Sequence, residues 1–298
     1  MLPSMSPRRS RPSEIAIIGA GNLGSAIAVS LKNAGYRVAE IATRARLSSR
    51  RRAQKLAKRV GAKVVEIGPP LRADMIWLCV PDRAIRRCAE SLAARGEWIG
   101  KTVFHSSGAL GSRELRVLQK RGAVVASVHP LMTFVAGVVP DLAGVPFAVE
   151  GDLPAVREAR GIVHAMGGDA FAIQEKHKAV YHAWGALASP LLLSLWVTAE
   201  RVAELAGVQR ADARKRMLPI IRQTLANYAE RGPDHAFSGP IIRGDAATLQ
   251  KHLRALGRLP DVRDVYLALA RSAVRRLPAK NRGALRRNLN RGARIRER

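Results

Sequence analysis

Three side chains that can give or take protons lie close together in the middle of the sequence. Lys178, Tyr181 and His182 occupy positions i, i+3 and i+4, so a helix brings them to one face. Lysine, tyrosine and histidine can each donate a proton to a carbonyl or imine group as that group is reduced. Lys178 is our first candidate for a proton donor. The same residues are also compatible with an ordinary polar start to a helix.

Two predicted strands end in loops that carry histidine and serine. The loops contribute five candidate residues: His105, Ser106, Ser107, Gly108 and His129. Because ligands of open parallel sheets bind beyond the carboxyl ends of strands, we expect these loops to surround the reacting atoms. The histidines, together with His182, are alternative proton donors to Lys178, and the serines and Gly108 would orient a substrate. Each histidine could instead make only local contacts with its own loop.

A turn further along the chain offers a second kind of substrate contact. Gly239–Asp245 contains Arg243, whose planar guanidinium could bind a substrate carboxylate. The segment is equally typical of a plain turn in which Asp245 caps the next helix. Tyr181 is a further candidate substrate contact. The sequence shows no metal-ligand spacing.

Near its start, the chain has a glycine-rich turn between an apolar run and an alanine-rich helical stretch. Gly19 permits the tight turn, Gly21 lets the backbone approach a pyrophosphate, and Gly24 lets the helix pack on the strand. The pyrophosphate would lie at the positive N-terminus of the helix. The predicted dinucleotide contacts are Gly19, Gly21, Asn22, Leu23 and Gly24, with Val80 and Pro81 against the ring or ribose.

The end of the second predicted strand indicates which dinucleotide binds. An NAD site usually has a carboxylate there, bonded to the ribose hydroxyls. Here the residues are basic or hydroxylated, and the predicted contacts are Thr43, Arg44 and Ser48. A guanidinium pairs well with phosphate, so the pattern favours NADP(H) as cofactor. The alternative is a solvated basic start to the next helix, and Glu40 lies inside the strand rather than at its tip.

The pattern of elements that must position these residues changes once along the chain. Eight strand candidates alternate with helices from Glu14 to Ile173, which predicts an α/β fold with a doubly wound, mainly parallel Rossmann-type sheet. Helical patterns follow, including one long helix over Val180–Ala206 that Pro190 should kink. We therefore predict a flexible N-terminus at residues 1–13, a dinucleotide-binding domain at 14–173, a helical domain at 174–279 and a disordered basic tail at 280–298.

The amino-acid composition indicates which kinds of partner and which cellular compartment to expect. The net charge is +28, which favours anionic ligands, but the arginines are spread along the chain and are dense only in the tail. A solvated tail and a weak anionic partner for it both remain open. No apolar run reaches the length of a membrane span, and no apolar segment follows the N-terminal arginines. With two cysteines, one of them in a buried strand, we expect a reduced, cytoplasmic protein without membrane contact.

Several motifs together resemble a bacterial family with a Rossmann-like domain and an uncharacterised C-terminal domain. This group is similar to pyrroline-5-carboxylate reductase and to the 6-phosphogluconate and β-hydroxyacid dehydrogenases. The motifs are Gly19–Gly24, Val80–Asp82, His105–Leu110, His129–Phe134, Tyr181-His182 and Gly239–Asp245. The resemblance implies an NADP oxidoreductase with a 6-phosphogluconate-dehydrogenase-like helical domain that forms a homodimer. Lys178 matches the catalytic lysine of the β-hydroxyacid dehydrogenases in place, but Tyr181 and His182 stand where they have asparagine.

The sequence leads to one main hypothesis and two rivals. The first is an NADPH-dependent reductase of a small carbonyl or imine substrate, with a carboxylate on that substrate; a 2-oxoacid of the ketopantoate type is one example. The second is a non-catalytic NADP-binding regulatory protein whose basic tail recruits an anionic partner. The third is hydride exchange with a deazaflavin or another cofactor, which would need no acid from the protein.

Overall fold

The computed structural model of the chain describes residues 14–68 and 70–294, with side chains as far as Arg291. The predicted flexible N-terminus at residues 1–13 lies outside the described residues. The chain divides into two compact units, Met1–Ser189 and Pro190–Arg298. The first contains a sheet with flanking helices and the second is helical.

One mixed sheet organises the first unit. Its strands are β1 Glu14–Ile18, β2 Arg37–Thr43, β3 Lys63–Glu66, β4 Met75–Leu78, β5 Thr102–His105, β6 Val124–Pro130, β7 Pro146–Gly151 and β8 Asp169–Ala172. The strand order is β3-β2-β1-β4-β5-β6-β7-β8. The first six strands in sequence are parallel, and β7 runs antiparallel to β6 and parallel to β8. All eight strands that the sequence predicts are present.

Helices cover both faces of this sheet because its central strands are apolar on both faces. In β1, Ile15 and Ile17 pack into one core cluster and Ala16 and Ile18 into the other. The helices of the unit are α1 Asn22–Asn33, α2 Leu47–Val60, α3 Asp82–Ala93, α4 Arg116–Gln119, α5 Leu153–Ala165 and α6 Lys178–Ala188. α1, α2 and α5 contribute to the first cluster, and α3 and α4 to the second.

The second unit is a set of helices with its own smaller core. They are α7 Pro190–Leu205, α8 Arg210–Ala236, α9 Pro240–Arg243, α10 Ala246–Ala255, α11 Pro260–Arg276 and α12 Arg282–Arg294. α8 contains a kink at Gly232, whose φ of 71° lies in the left-handed region. Side chains of α10, α11 and α12 form the core: Leu249, Leu253, Leu267, Ala270, Val274, Leu285 and Leu289.

The long apolar helix is broken where the sequence predicts a kink. Ser189 has φ −131° and ψ −78°, so α6 ends there and α7 begins at Pro190. The division into compact units therefore falls at residue 189, whereas the predicted domain boundary lies at residue 173. The reason is that α6 buries Lys178 and Tyr181 within the first unit. The sequence predicts no apolar run of membrane-spanning length, yet Glu175–Leu205 contains a window of 18 residues with a mean hydropathy of 1.3, which by length and composition alone could cross a membrane.

The C-terminal segment differs from its prediction. The sequence predicts disorder from residue 280 because large apolar side chains are scarce, yet Arg282–Arg294 forms α12. Leu285 and Leu289 lie four residues apart on one helix face, and both are buried against α10 and α11. Two leucines at helical spacing are thus enough to dock an otherwise basic segment.

Candidate functional site

The glycine turn lies where the sheet changes the direction of its connections, between β1 and β4. Gly19 has φ 106°, and a side chain there would come within 2.5 Å of the Cys79 carbonyl oxygen. A side chain at Gly24 would collide with the Gly19 carbonyl. A side chain at Gly21 would meet no protein atom within 4 Å, so this position is open to a ligand. The turn is therefore built as a dinucleotide site requires.

The first turn of α1 can receive an anion. Gly21 is its N-cap, no side chain caps the helix, and no acidic residue lies in the first turn. The backbone N–H groups at this end are thus available, and the helix dipole favours negative charge there. Asn22 Nδ2 donates to the Phe134 carbonyl at 3.2 Å, and Leu23 follows it in the helix. This bond ties the turn to the connection that follows β6.

The next helix start along the same edge is that of α3. A side chain at Gly19 would lie 3.3 Å from Val80 Cγ1, so Val80 lies directly beside the turn. Pro81 is the N-cap of α3, and Asp82 lies in its first turn. Contact of Val80 and Pro81 with the nicotinamide ring or its ribose stays a prediction.

The tip of β2 presents basic and hydroxyl groups. Thr43 is buried at the end of the strand, while Arg44 and Ser48 are exposed in the turn and in the start of α2. Glu40 accepts hydrogen bonds from the backbone N–H groups of Arg72 and Ala73 at 3.1 and 3.4 Å. Its carboxylate is therefore engaged inside the fold, and the groups at the tip suit a 2′-phosphate.

His105 holds the loop that follows β5. Its Nε2 lies 2.9 Å from the Gly111 carbonyl, and its Nδ1 accepts from the Ser107 N–H at 3.1 Å. The carbonyl can only accept and the amide can only donate, so the proton of the neutral ring is on Nε2. With both nitrogens engaged and the ring fully buried, this geometry favours a positioning role for His105.

The two serines of this loop are also bonded to the protein. Ser106 Oγ accepts from Trp77 Nε1 at 2.7 Å. Ser107 Oγ accepts from the N–H groups of Ala109 and Leu110 at 3.2 and 2.9 Å. Both serines are at least nine-tenths buried, so they shape the loop more than they face a substrate.

Lys178 is hydrogen-bonded to strand β6. Its side chain is fully buried, and Nζ donates to Ser127 Oγ at 2.6 Å. Ser127 Oγ in turn donates to the Ser107 carbonyl at 3.3 Å. The chain of hydrogen bonds from Lys178 thus ends on a backbone carbonyl, which takes no proton. Ser127 contributes to the site although the sequence analysis did not select it.

Two imidazoles pack on Gly108. A side chain at this glycine would come within 2.5 Å of His182 Cδ2 and 2.8 Å of His129 Nε2. The rings of His129 and His182 have their centroids 5.9 Å apart. His129 Nδ1 lies 2.9 Å from the Tyr181 hydroxyl. Gly108 therefore leaves space for two nitrogen-bearing rings side by side, with His182 exposed.

Burial is the main cause of the pKa shifts of the histidines in this cluster. It lowers the pKa of His129 to about 3, with a further contribution from the charge of Lys178. Burial likewise lowers the pKa of His105 to about 4. His129 and His105 are therefore neutral near pH 7.

Burial shifts the pKa values of Lys178 and Tyr181 in opposite directions. Burial lowers the pKa of Lys178 to about 8, although the carboxylate of Glu150 partly restores it. Burial raises the pKa of Tyr181 to about 12, so its hydroxyl keeps its proton. Glu150 itself accepts from the Ser112 N–H and hydroxyl at 2.7 and 2.9 Å.

The structure brings most of the predicted site residues to one edge of the first unit. Arg243 is the exception, because it is an exposed residue of α9 in the second unit. Two buried groups that shape the site escape the sequence analysis: Ser127 and Glu150 lie inside strands β6 and β7, where the pattern indicates only core. Within the described part of the chain, no group of three or more potential metal ligands is present.

Two family profiles match the chain. Residues 4–130 match a Rossmann-like domain, and residues 145–273 match a domain of unknown function, DUF2520. The chain thus combines a Rossmann-like domain with a DUF2520 domain. No protein of curated function matches the sequence.

Solved structures share the fold along most of their length. A protein from Bacteroides fragilis described as an NADP oxidoreductase is 22% identical, with a TM-score of 0.70 over 87% of this chain and 97% of that one. The reductive aminase from Aspergillus terreus, in complex with NADPH and ethyl-5-oxohexanoate, is 16% identical, with a TM-score of 0.60 over 92% and 98%. Pyrroline-5-carboxylate reductase from Coxiella burnetii is 15% identical, with a TM-score of 0.58 over 96% and 99%. At these identities the likeness establishes the fold.

Proposed function

We propose that this protein is an NADPH-dependent oxidoreductase that reduces a small carbonyl or imine compound. One observation carries the proposal: the open glycine turn at Gly21 and the imidazole pair on Gly108 lie at the same edge of one sheet. A reductase needs a dinucleotide site and polar hydrogen-bond donors there. The shared fold with a reductive aminase and a pyrroline-5-carboxylate reductase supports this class of reaction.

The choice of NADPH rests on the tip of β2. Arg44 is exposed there, Ser48 lies in the first turn of α2, and Glu40 is withdrawn into backbone hydrogen bonds. A guanidinium and a hydroxyl next to a helix N-terminus favour a 2′-phosphate over two free ribose hydroxyls. When bound, NADPH supplies the hydride.

The residues of the site can complete the reduction in the following way. We assign Tyr181 as the donor in its contact with His129 Nδ1, which places the proton of the neutral ring on Nε2. That N–H donates to the oxygen or nitrogen of the substrate and stabilises the charge that develops when hydride reaches the carbon. His182 is exposed beside it and can bring the proton from solvent. Lys178, Ser127 and His105 hold the loop that presents Gly108.

The substrate class is part of the proposal. A donor that is neutral at pH 7 suits a carbonyl or imine, whose bond it polarises without forming an ion pair. The net charge of the chain is +28, which favours a carboxylate elsewhere on the substrate. Arg243 stays a candidate for binding that carboxylate.

NADPH oxidation tests the proposal directly. We would follow the absorbance of NADPH with a panel of 2-oxoacids and cyclic imino acids, using the wild-type protein and His129→Gln. We expect turnover of at least one class and a loss of about 100-fold or more in kcat in the variant, because one donor to the developing charge is worth that much. Equal rates in both proteins would refute the role of His129. No turnover with any compound would favour the non-catalytic alternative.

That alternative is a regulatory NADP-binding protein with an anionic partner. It draws support from α12, in which Arg282, Arg286, Arg287 and Arg291 are exposed. Truncation at residue 280 is a poor test because it would remove Leu285 and Leu289 from the core of the second unit. Neutralising exposed arginines of α12 is the better experiment. Turnover that survives this change shows that catalysis does not depend on the anionic partner.

We further propose that the protein works as a homodimer in the reducing cytoplasm. The second unit leaves large apolar side chains more than half exposed on α7 and α8: Leu191, Leu193, Ile220, Leu225 and Tyr228. A second copy would remove this surface from water. Cys79 and Cys88 are free thiols, as a reducing compartment requires. Sedimentation should show a dimer that Ile220→Glu dissociates; a monomer that binds lipid vesicles would contradict the proposal.

A further inference from the structure

A large apolar cavity lies in the second unit. It has a volume of about 560 Å³, within the range of about 300–1,000 Å³ that ligand pockets have. Residues of α7, α9, α10 and α11 line it, together with Phe237 at the end of α8. Most of the lining side chains are aliphatic, and within the described part of the chain none of them is an aspartate, glutamate, lysine or arginine. The lining therefore favours a ligand that is mainly apolar.

The wall of the cavity is held by the core of the unit and by an ion pair. Leu256 and Val262 line the cavity and are buried. Arg201 of α7 pairs with Asp261 at the start of α11, and Nη2 donates to Oδ1 at 3.3 Å. Arg201 precedes the lining residue Val202 in sequence, and Asp261 precedes Val262. This pair thus joins two helices of the wall beside the cavity.

One polar pair interrupts the apolar lining. His252 Nδ1 lies 2.9 Å from the Tyr266 hydroxyl, and both residues line the cavity. Burial raises the pKa of Tyr266, so its hydroxyl keeps its proton near pH 7. If the hydroxyl donates to Nδ1, Nε2 of the neutral ring carries a proton and the hydroxyl oxygen can accept; if Nδ1 donates, these roles are reversed. In either case the pair has one donor and one acceptor left for a ligand.

A third polar side chain of the lining is already engaged. Thr198 lines the cavity, and its hydroxyl donates to the Ser194 carbonyl at 2.9 Å within α7. The hydroxyl proton of Thr198 is therefore used inside the helix. The donor and the acceptor for a ligand thus come together at the pair of His252 and Tyr266.

The cavity is separate from the surface that we assign to the dimer. That surface consists of side chains of α7 and α8 that are more than half exposed, whereas other residues line the cavity. A second copy that covers the exposed side chains therefore does not need to enter the cavity.

We propose that this cavity binds a neutral, mainly apolar small molecule that carries one hydroxyl group, such as a phenol or an aliphatic alcohol. The aliphatic walls take up the body of the ligand, and its hydroxyl both donates to and accepts from the pair of His252 and Tyr266. A carboxylate or phosphate would lose its hydration there without a lysine or arginine in the lining to compensate. All lining residues belong to the second unit, so the site does not require the proposed reductase activity.

Titration calorimetry with 2-naphthol tests the proposal on the full-length protein. Tyr266→Phe removes the hydroxyl and keeps the ring, and Tyr228→Phe, at an exposed tyrosine of α8, is its matched control. Ala199→Phe adds a large side chain to the cavity lining, and Ala268→Phe, at an exposed alanine of α11 outside the lining, is its matched control. Circular dichroism shows that each variant is folded.

We expect one molecule of 2-naphthol to bind per chain in the wild type and in both controls. Tyr266→Phe should bind it about threefold to tenfold more weakly, because one neutral hydrogen bond is lost. Ala199→Phe should bind it at least about tenfold more weakly, because the added ring takes the space of the apolar body of the ligand.

Three results would overturn the proposal. The first is no binding to the wild type, or equal binding by all five proteins. The second is weaker binding in Ala199→Phe with full affinity in Tyr266→Phe, which would show that the polar pair does not hold the hydroxyl. The third is binding that appears only in Ile220→Glu, the variant that should dissociate the dimer, which would show that a second copy fills the cavity.

Discussion

The hydroxyl of Tyr181 lies 2.9 Å from Nδ1 of His129 and 3.4 Å from the carbonyl oxygen of the same residue. The shorter contact is the stronger hydrogen bond, and the hydroxyl keeps its proton because burial raises the pKa of Tyr181 to about 12. We assign this single proton to the shorter contact, so that Tyr181 donates to Nδ1 and the proton of His129 lies on Nε2. That nitrogen is the one next to Gly108.

Removing the hydroxyl of Tyr181 should allow the His129 ring to adopt its other neutral tautomer as well. In Tyr181→Phe, we expect His129 to populate both neutral tautomers, because Nδ1 loses its donor. The ¹⁵N chemical shifts of the His129 ring report the change. The value of kcat should fall about tenfold while KM for NADPH stays constant. Unchanged ring shifts would show that another group fixes the tautomer.

Gly108 should tolerate no side chain. In Gly108→Ala, the new methyl group would lie 2.5 Å from His182 Cδ2 and 2.8 Å from His129 Nε2, so both rings must move. We expect a loss of kcat of at least about tenfold with NADPH affinity retained. Gly161→Ala in α5 is the matched control, since its methyl group would meet no atom within 4 Å. Full activity in Gly108→Ala would contradict the proposed placement of the rings.

The pH dependence of the rate separates a positioning role of Lys178 from an acid role. Its pKa of about 8 would give a fall in rate above pH 8 if Lys178 were the proton donor. We expect no such fall that depends on Lys178, because Nζ donates to Ser127 inside the fold. Lys178→Met should lower kcat by less than His129→Gln and leave the shape of the profile unchanged. Loss of an alkaline limb in Lys178→Met would restore Lys178 as the acid.

Strand and turn patterns predict the edge of the sheet that carries the site, but they do not predict which side chains face outward. The glycine spacing and the eight strands follow from local rules, and the structure contains them. Lys178, by contrast, sits on a predicted polar helix start and is fully buried. Its burial depends on Ser127, a residue fifty-one positions earlier in the sequence, and such long-range pairs leave no local signal.

The same limit explains the C-terminal segment. Composition indicates a disordered tail because arginine dominates it, yet helix formation there depends on a receiving surface formed by α10 and α11. Leu285 and Leu289 supply the matching face. A spacing of four between two leucines is a weak signal in the sequence, and it becomes decisive only when the partner surface is known.

Acid should destabilise the first unit over a pH range that the pKa values of its buried histidines determine. The ordinary pKa is 6.5, and the folded values are about 4 for His105 and about 3 for His129. The unfolded chain therefore binds more protons between these limits, and the free energy of unfolding falls as the pH falls below 6.5. Each histidine contributes up to about 1.4 kcal/mol per pH unit.

Urea unfolding between pH 7.5 and 4 measures this slope. The variant His129→Gln should reduce the number of protons taken up on unfolding in this pH range by about one. A wild-type stability that is flat between pH 6.5 and 4 would show that the two rings are not buried as neutral groups.

The most direct test of the account is the binding of NADPH and NADH, measured by titration calorimetry on the wild type and on Arg44→Gln. We predict tight binding of NADPH, weaker binding of NADH, and a loss of about 10- to 100-fold in NADPH affinity in the variant with NADH affinity unchanged. A preference for NADH would contradict the assignment of Arg44 to the 2′-phosphate. Binding of neither dinucleotide would contradict the proposal that the glycine turn at Gly19, Gly21 and Gly24 serves a reductase.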